Sequence, residues 1–307
     1  MGADFQIYLA IGFAALVLIA LSTIWRQARR PRFIPFEDIP VRTVDVDGWT
    51  IRYHVSGQGP YMLLLHGIGA NLYCWRTLIP LLNSHFTTVA LDLPGFGQSS
   101  IRPGAHYGLD DQTSRLAEFM RALGIKQTYL VGNSMGANLA LWFTRRFPDL
   151  ALGTVVIAPA TSAELFPLDS RRWLWLSRPA AWLSNRTMMG WAHRRTVTKK
   201  HLVDRRRVEE TYRTYGGNAN AIRSFLLASE AIRDSRLAKE LTEIQSRVLI
   251  LWGSRDKLVP RQVIDTLEAA LVKHESHMHL TGGHHLQEDE PEWVAGKIDA
   301  FFSTSPD

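Results

Sequence analysis

A single cysteine, Cys74, serves all 307 residues, so no intrachain disulfide can brace the fold. A lone thiol is consistent with a reducing compartment. The chain also lacks internal repeats and low-complexity tracts, which excludes a solenoid or a compositionally disordered protein. Charge is missing altogether from Phe5 to Trp25 (FQIYLAIGFAALVLIALSTIW), where only Gln6, Ser22 and Thr23 are clearly polar. At 1.5 Å rise per residue, about 20 such residues cross a ~30 Å hydrocarbon core. A secretory signal would start with basic residues, carry a shorter apolar run and end at a small-residue cleavage site. Here the start is Met-Gly-Ala-Asp and the run is followed by Trp25 and a basic cluster, so 5–25 reads as an uncleaved transmembrane anchor. Arg26, Arg29, Arg30 and Arg32 follow the span, and only Asp4 is charged before it. The positive-inside rule then predicts a single-pass protein with its following domain in the cytoplasm. Residues 26–40 form a basic, proline-rich linker that resists regular structure.

Beyond residue 40 the composition is that of a globular protein, with 46% hydrophobic and 21% charged residues. Val41–Asp47 and Trp49–Val55 alternate apolar and polar residues around Asp47-Gly48, which predicts a two-residue hairpin. Tyr61–Leu65, Thr87–Leu91, Gln127–Val131, Leu152–Ala158, Arg247–Trp252 and Ser276–Leu280 read as further strands. Helical spacing marks Trp75–Leu82, Asp111–Leu123, Ala137–Phe147, Arg261–Ala270 and Glu292–Phe302. Strands alternating with helices predict an α/β fold: a mostly parallel eight-stranded sheet with helices on both faces. The alternation stops between 161 and 225. That stretch reads as a helical cap inserted into a core made of 41–160 and 226–307. It contains thirteen Lys/Arg against five Asp/Glu, a larger positive excess than the +6 of the entire chain. It also holds Trp173, Trp175, Trp182 and Trp191.

Gly132-Asn133-Ser134-Met135-Gly136 fits the G-x-S-x-G nucleophile elbow between a strand and a helix. The glycines have a physical reason: a serine on so sharp a turn has neighbouring chain pressed against it, leaving no room for side chains two positions away. A serine hydroxyl needs a base, and the base needs an orienting carboxylate. In chain order Ser…Asp…His, Asp256 follows the apolar strand VLILWG, and MHLTGGH places His284 after a strand and a glycine turn. The neighbouring His285 competes for the role of base. Two oxyanion-hole donors are expected. One is the Met135 N–H. The other is the Ile68 N–H, in the His66-Gly67-Ile68-Gly69 loop that His66 braces. A metal cluster drawn from His274, His277, His279, His284 and His285 lacks a cysteine or carboxylate at a completing spacing.

The segments LLLHGIGANLYCW, ALDLPGFGQSS, LVGNSMGANLAL, LILWGSRDKLVP and GGHHLQEDEP occur in this order across roughly 41–302 outside the cap. Together they resemble the α/β-hydrolase fold superfamily, in its capped branch of carboxylesterases, monoacylglycerol-lipase-like enzymes and carbon–carbon bond hydrolases. The tail GGHHLQEDEPEWV is also similar to haloalkane dehalogenases, and that similarity favours His284 over His285. Those enzymes use an aspartate nucleophile, whereas this chain has Ser134. The resemblance implies a Ser134–His284–Asp256 serine hydrolase working through an acyl-enzyme, with no cofactor and no metal. The anchor, linker and basic, tryptophan-rich cap point to membrane lipids as partners and to a lipophilic ester, such as a monoacylglycerol, as substrate. No nucleic-acid motif accompanies the basic residues. A carbon–carbon (meta-cleavage-type) hydrolase and a non-enzymatic accessory protein at the membrane are the alternatives.

Overall fold

The computed structural model describes residues 40–166 and 169–303. The expected anchor at 5–25 and all of the linker except Pro40 lie outside them. No helix among the described residues is long and apolar enough to cross a membrane.

Eight strands form one sheet in the order β1-β2-β4-β3-β5-β6-β7-β8. They are β1 (Arg42–Val46), β2 (Trp49–Gly57), β3 (Tyr61–Leu65), β4 (Thr87–Leu91), β5 (Thr128–Asn133), β6 (Ala151–Ile157), β7 (Val248–Gly253) and β8 (His274–His279). β2 pairs antiparallel with β1 and with β4, and the remaining pairs are parallel. The β1–β2 hairpin turns at Asp47 (φ 50°) and Gly48 (φ 75°), the two positive φ values that a tight two-residue turn demands. Strands β3, β5, β6 and β7 are buried almost throughout, as expected of parallel strands covered on both faces.

The helices are α1 (Ile79–Leu82), α2 (Leu109–Ala122), α3 (Met135–Arg146), α4 (Ser177–Leu183), α5 (Arg186–Thr196), α6 (Arg205–Tyr215), α7 (Ala219–Ala228), α8 (Glu230–Arg233), α9 (Ser235–Glu240), α10 (Arg261–Ala270), α11 (Leu286–Asp289) and α12 (Pro291–Ser303). α3 packs on β5 and β6 beside α2, whereas α12 packs against α1 and β7. Among the described residues, no strand interrupts 161–225. The expected cap boundary at 225/226 falls inside α7, and the next two helices, α8 and α9, pack on α3. The Trp75–Leu82 segment is two short pieces rather than one helix, a 3-10 turn at Leu72–Trp75 and then α1. Asn71 caps the first piece by accepting from the Tyr73 amide, and Pro80 restarts the second.

Candidate functional site

The elbow sits between β5 and α3. Ser134 has φ 56° and ψ −118°, a positive-φ conformation that costs a non-glycine residue strain of order 1–3 kcal/mol. The glycines around it are required sterically. A Cβ on Gly132 would be driven into the Gly136 carbonyl, and one on Gly136 into the Leu65 carbonyl at the end of β3. The Ser134 N–H is held by the Ile157 carbonyl of β6 at 2.9 Å. Met135 opens α3, so its N–H lies in the first turn, where amides have no intrahelical acceptor.

The loop after β3 lies against the serine, where a Cβ on Gly67 would meet Ser134 Cβ at 3.1 Å. His66 fixes this loop. Its Nε2 accepts from the Leu93 amide at 3.0 Å, which leaves Nδ1–H to donate to the Gly67 carbonyl at 2.8 Å. Full burial lowers the His66 pKa, outweighing the opposing pull of Asp92 and the Gly67 carbonyl, so the ring stays neutral. Asp92 anchors the following turn by accepting from the Leu72 amide at 2.8 Å.

On the far side, His284 Nδ1–H donates to Asp256 Oδ2 at 2.8 Å, and both side chains are buried. Asp256 Oδ1 accepts from the Leu258 and Val259 amides at 2.8 and 3.1 Å. Burial pushes the Asp256 pKa up. The His284 ring and these two amides pull it down further, so its carboxyl lies below the usual range. With Nδ1–H committed to Asp256, Nε2 is the ring atom of His284 left to accept a proton. Asn133 joins the two halves of the site, since its Nδ2 donates to the Ile157 carbonyl at 3.1 Å and to the His284 carbonyl at 3.0 Å.

Ser134, His284, Gly67 and Ile68 line one cavity of about 560 Å³ beneath the cap. Asp256 stands behind His284, and Met135 is fully buried beside the serine. Most of the lining is apolar, including Leu165, Met189, Ile222, Phe225 and Ile232, and it contains no Lys, Arg, Asp or Glu. His285 also lines this cavity but faces a different carboxylate, with Nδ1 3.3 Å from Glu288 Oε1 and 3.2 Å from Gln287 Nε2. The two adjacent histidines therefore have different carboxylate partners, which distinguishes candidates that the sequence leaves side by side. Among the described residues, no three His, Cys, Asp or Glu side chains converge on a point that could hold a metal ion.

Residues 60–291 match the family model of the alpha/beta hydrolase fold. The chain belongs to this family. The 2-hydroxy-6-oxo-2,4-heptadienoate hydrolase of Pseudomonas putida is 29% identical over 253 residues, 80% of this chain and 90% of that protein. A fluoroacetate dehalogenase of a Burkholderia species is 35% identical over 156 residues, 47% of this chain and 51% of that protein. Among solved structures, a membrane phospholipase A described as a bacterial virulence factor aligns with a TM-score of 0.70 at 25% identity, covering 98% of this chain and 96% of its own. A meta-cleavage product hydrolase, CumD, aligns with a TM-score of 0.71 at 21% identity, which is a likeness of fold.

Sequence reasoning missed several residues around this site. Asn133 and Glu288 were visible as members of motifs, but their tertiary partners are His284 and Arg207. His193 and Thr211, which line the cavity from the cap, carry no local signal at all.

Proposed function

We propose that this member of the alpha/beta hydrolase fold family is a membrane-anchored serine hydrolase that cleaves lipophilic carboxylic esters. In this reading Ser134 attacks the ester carbonyl and His284 Nε2 takes its proton. Asp256 holds the imidazolium that forms, and the Ile68 and Met135 amides stabilise the oxyanion. Water then releases the acid from the acyl-enzyme. The observation that carries the reading is the cavity: an apolar chamber, free of charged lining, with Ser134 and the Asp256-bound His284 in its wall. Such a lining suits an acyl chain and offers no cation to a carboxylate-bearing substrate.

The cap adds support for work at a lipid surface. Trp173, Trp175, Trp182 and Trp191 are 42%, 70%, 63% and 60% exposed, so these rings do not form an interior for the cap. Leu183 and Met188 are exposed near them in the chain, and Met188 also lines the cavity. Exposed tryptophan beside arginine, as where the Arg195 guanidinium lies 4.7 Å over the Trp191 ring, matches the headgroup boundary of an anionic leaflet. The apolar, uncharged 5–25 segment supplies the anchor in this proposal, with the catalytic domain on the cytoplasmic side. The membrane phospholipase A among the similar structures agrees with it.

The similarity to the heptadienoate hydrolase favours one competing reading, carbon–carbon bond cleavage of a dienoate. The test is to label membrane fractions with a fluorophosphonate probe and assay esters of increasing chain length, for wild type and Ser134→Ala. Labelling that disappears with Ser134→Ala, together with a preference for long-chain esters, is expected. Turnover of dienoates alone would select the competing reading, and no labelling or turnover at all would leave an accessory role.

A further inference from the structure

One wall of the cavity is unlike the rest. His193 from α5, Thr211 from α6 and His285 from the turn before α11 line it together. His193 Nε2 lies 2.8 Å from Thr211 Oγ1, and Thr211 Oγ1 in turn donates to the Arg207 carbonyl at 3.3 Å. The threonine hydroxyl therefore accepts from His193 Nε2–H, and Nδ1 of that ring keeps its lone pair. His285 spends its Nδ1 edge on Gln287 and Glu288, neither of which lines the cavity, and this leaves Nε2 as its remaining polar atom. Behind this wall, Glu288 is held by Arg76 at 2.6 Å and Arg207 at 2.7 Å, so its charge is already met by two cations.

We infer that His193, Thr211 and His285 form a hydroxyl-binding subsite for an uncharged polyol on the alcohol side of the scissile ester, a glycerol-like head. This rests on the esterase reading of Ser134 and specifies its substrate as a neutral polyol monoester. The chemistry of the wall decides the class. A hydroxyl both donates and accepts, so it complements a neutral imidazole in either tautomer, whereas a carboxylate or phosphate oxygen only accepts. Burial lowers the pKa of both rings, that of His193 to about 3 with Arg207 adding to the effect, so neither carries a charge to attract an anion at neutral pH. The apolar remainder of the cavity takes the acyl chain.

The experiment compares kcat/KM for 1-monolauroylglycerol and methyl laurate, which share an acyl chain and differ in the alcohol. It uses the full-length protein in detergent, as wild type, His193→Phe and Thr211→Val. Fluorophosphonate labelling of Ser134 and a melting curve on each sample keep loss of folding separate from loss of recognition. The glyceride-to-methyl-ester ratio is expected to fall about three- to tenfold in each variant, the worth of one neutral hydrogen bond, and to do so through KM. A ratio within about twofold of wild type, or an equal loss on both esters, overturns the subsite while leaving the esterase reading intact. A wild-type protein that hydrolyses neither ester overturns both.

Discussion

Replacing Glu288 with Gln should cost more stability than any other single change of one heavy atom near the cavity. Glu288 is fully buried and its Oε2 accepts from Arg76 Nη1 at 2.6 Å and Arg207 Nη1 at 2.7 Å. The arginine side chains are themselves only 13% and 5% exposed. Glutamine keeps the shape and one acceptor oxygen but removes the charge, leaving two guanidinium groups facing each other out of water. Breaking a buried ion pair in this way costs about 3–5 kcal/mol. In a domain of this size, each kcal/mol moves Tm by about 2–4 °C, so a fall of roughly 10 °C is expected. Differential scanning fluorimetry and urea titration on the same samples measure it. Arg207→Met alone should cost less, because Glu288 keeps Arg76, and the double variant Glu288→Gln/Arg207→Met should recover part of the loss. The reasoning is refuted if Glu288→Gln unfolds within about 1 kcal/mol of wild type, since the pair would then be screened by water.

Two other outcomes follow from the same groups. Acid should destabilise the fold in two stages. His193 has its pKa pushed down to about 3 from 6.5, so its neutral burial supports the fold fully above pH 6.5. That support is lost as pH falls toward 3, at up to about 1.4 kcal/mol per unit, and urea midpoints at pH 5 and 7 should show a slope that His193→Phe reduces. Glu288 is held at about 2, chiefly against its burial and by Arg207, so its contribution is complete above about 4.5 and is lost only as pH falls toward 2. For catalysis, Asp256→Asn should keep its Oδ1 bonds to the Leu258 and Val259 amides and preserve Tm, yet lower kcat about 10³–10⁴-fold by failing to fix the His284 tautomer; a loss below tenfold in ester assays would remove Asp256 from its role.

The parts of this molecule legible in the sequence are those specified by short-range pattern. Buried strands show as apolar runs, and the Asp47-Gly48 hairpin and the elbow glycines are local steric requirements that a few residues state completely. β8 was harder: its edge position leaves the HESHMH run largely exposed, so no apolar alternation marks its start, and the expected Ser276–Leu280 strand lies two residues early in the structure, at His274. Asp256 and His284 were legible because each follows a strand, and the resemblance favoured His284 over His285. The network behind them was not. Arg207 and Glu288 are 81 residues apart in the chain, and nothing near either one announces the other. The tryptophans show the converse limit, since composition reads equally as a cap interior or as a surface, and only the fold exposes them.

The cap is attached to the core through the same residues that hold the site. Along α6, Arg207 reaches Glu288, Glu210 reaches Arg52 at 3.3 Å, and Thr214 Oγ1 donates to the Gly97 carbonyl at 3.0 Å. These positions, three to four residues apart, share one helix face, so the contacts form a single seam. Its core ends are informative. Glu288 lies just after His284 in the chain, and Arg52 bonds Asp92 at 3.2 Å, the residue that anchors Leu72 behind the Ile68 loop. His284 and the loop of the expected oxyanion donor are thus each connected to a cap contact through a short chain of bonds. α4 and α5 carry the exposed Trp182, Leu183 and Trp191, and α5 meets the core at its C-terminal end, where the Thr196 carbonyl accepts from the His285 amide at 3.1 Å. The physical consequence is a division of labour within the cap. α6 ties the cap to the core beside His284, and under the proposed reading the α4–α5 corner, where Met188 is both exposed and cavity-lining, is the side from which a lipophilic substrate would enter.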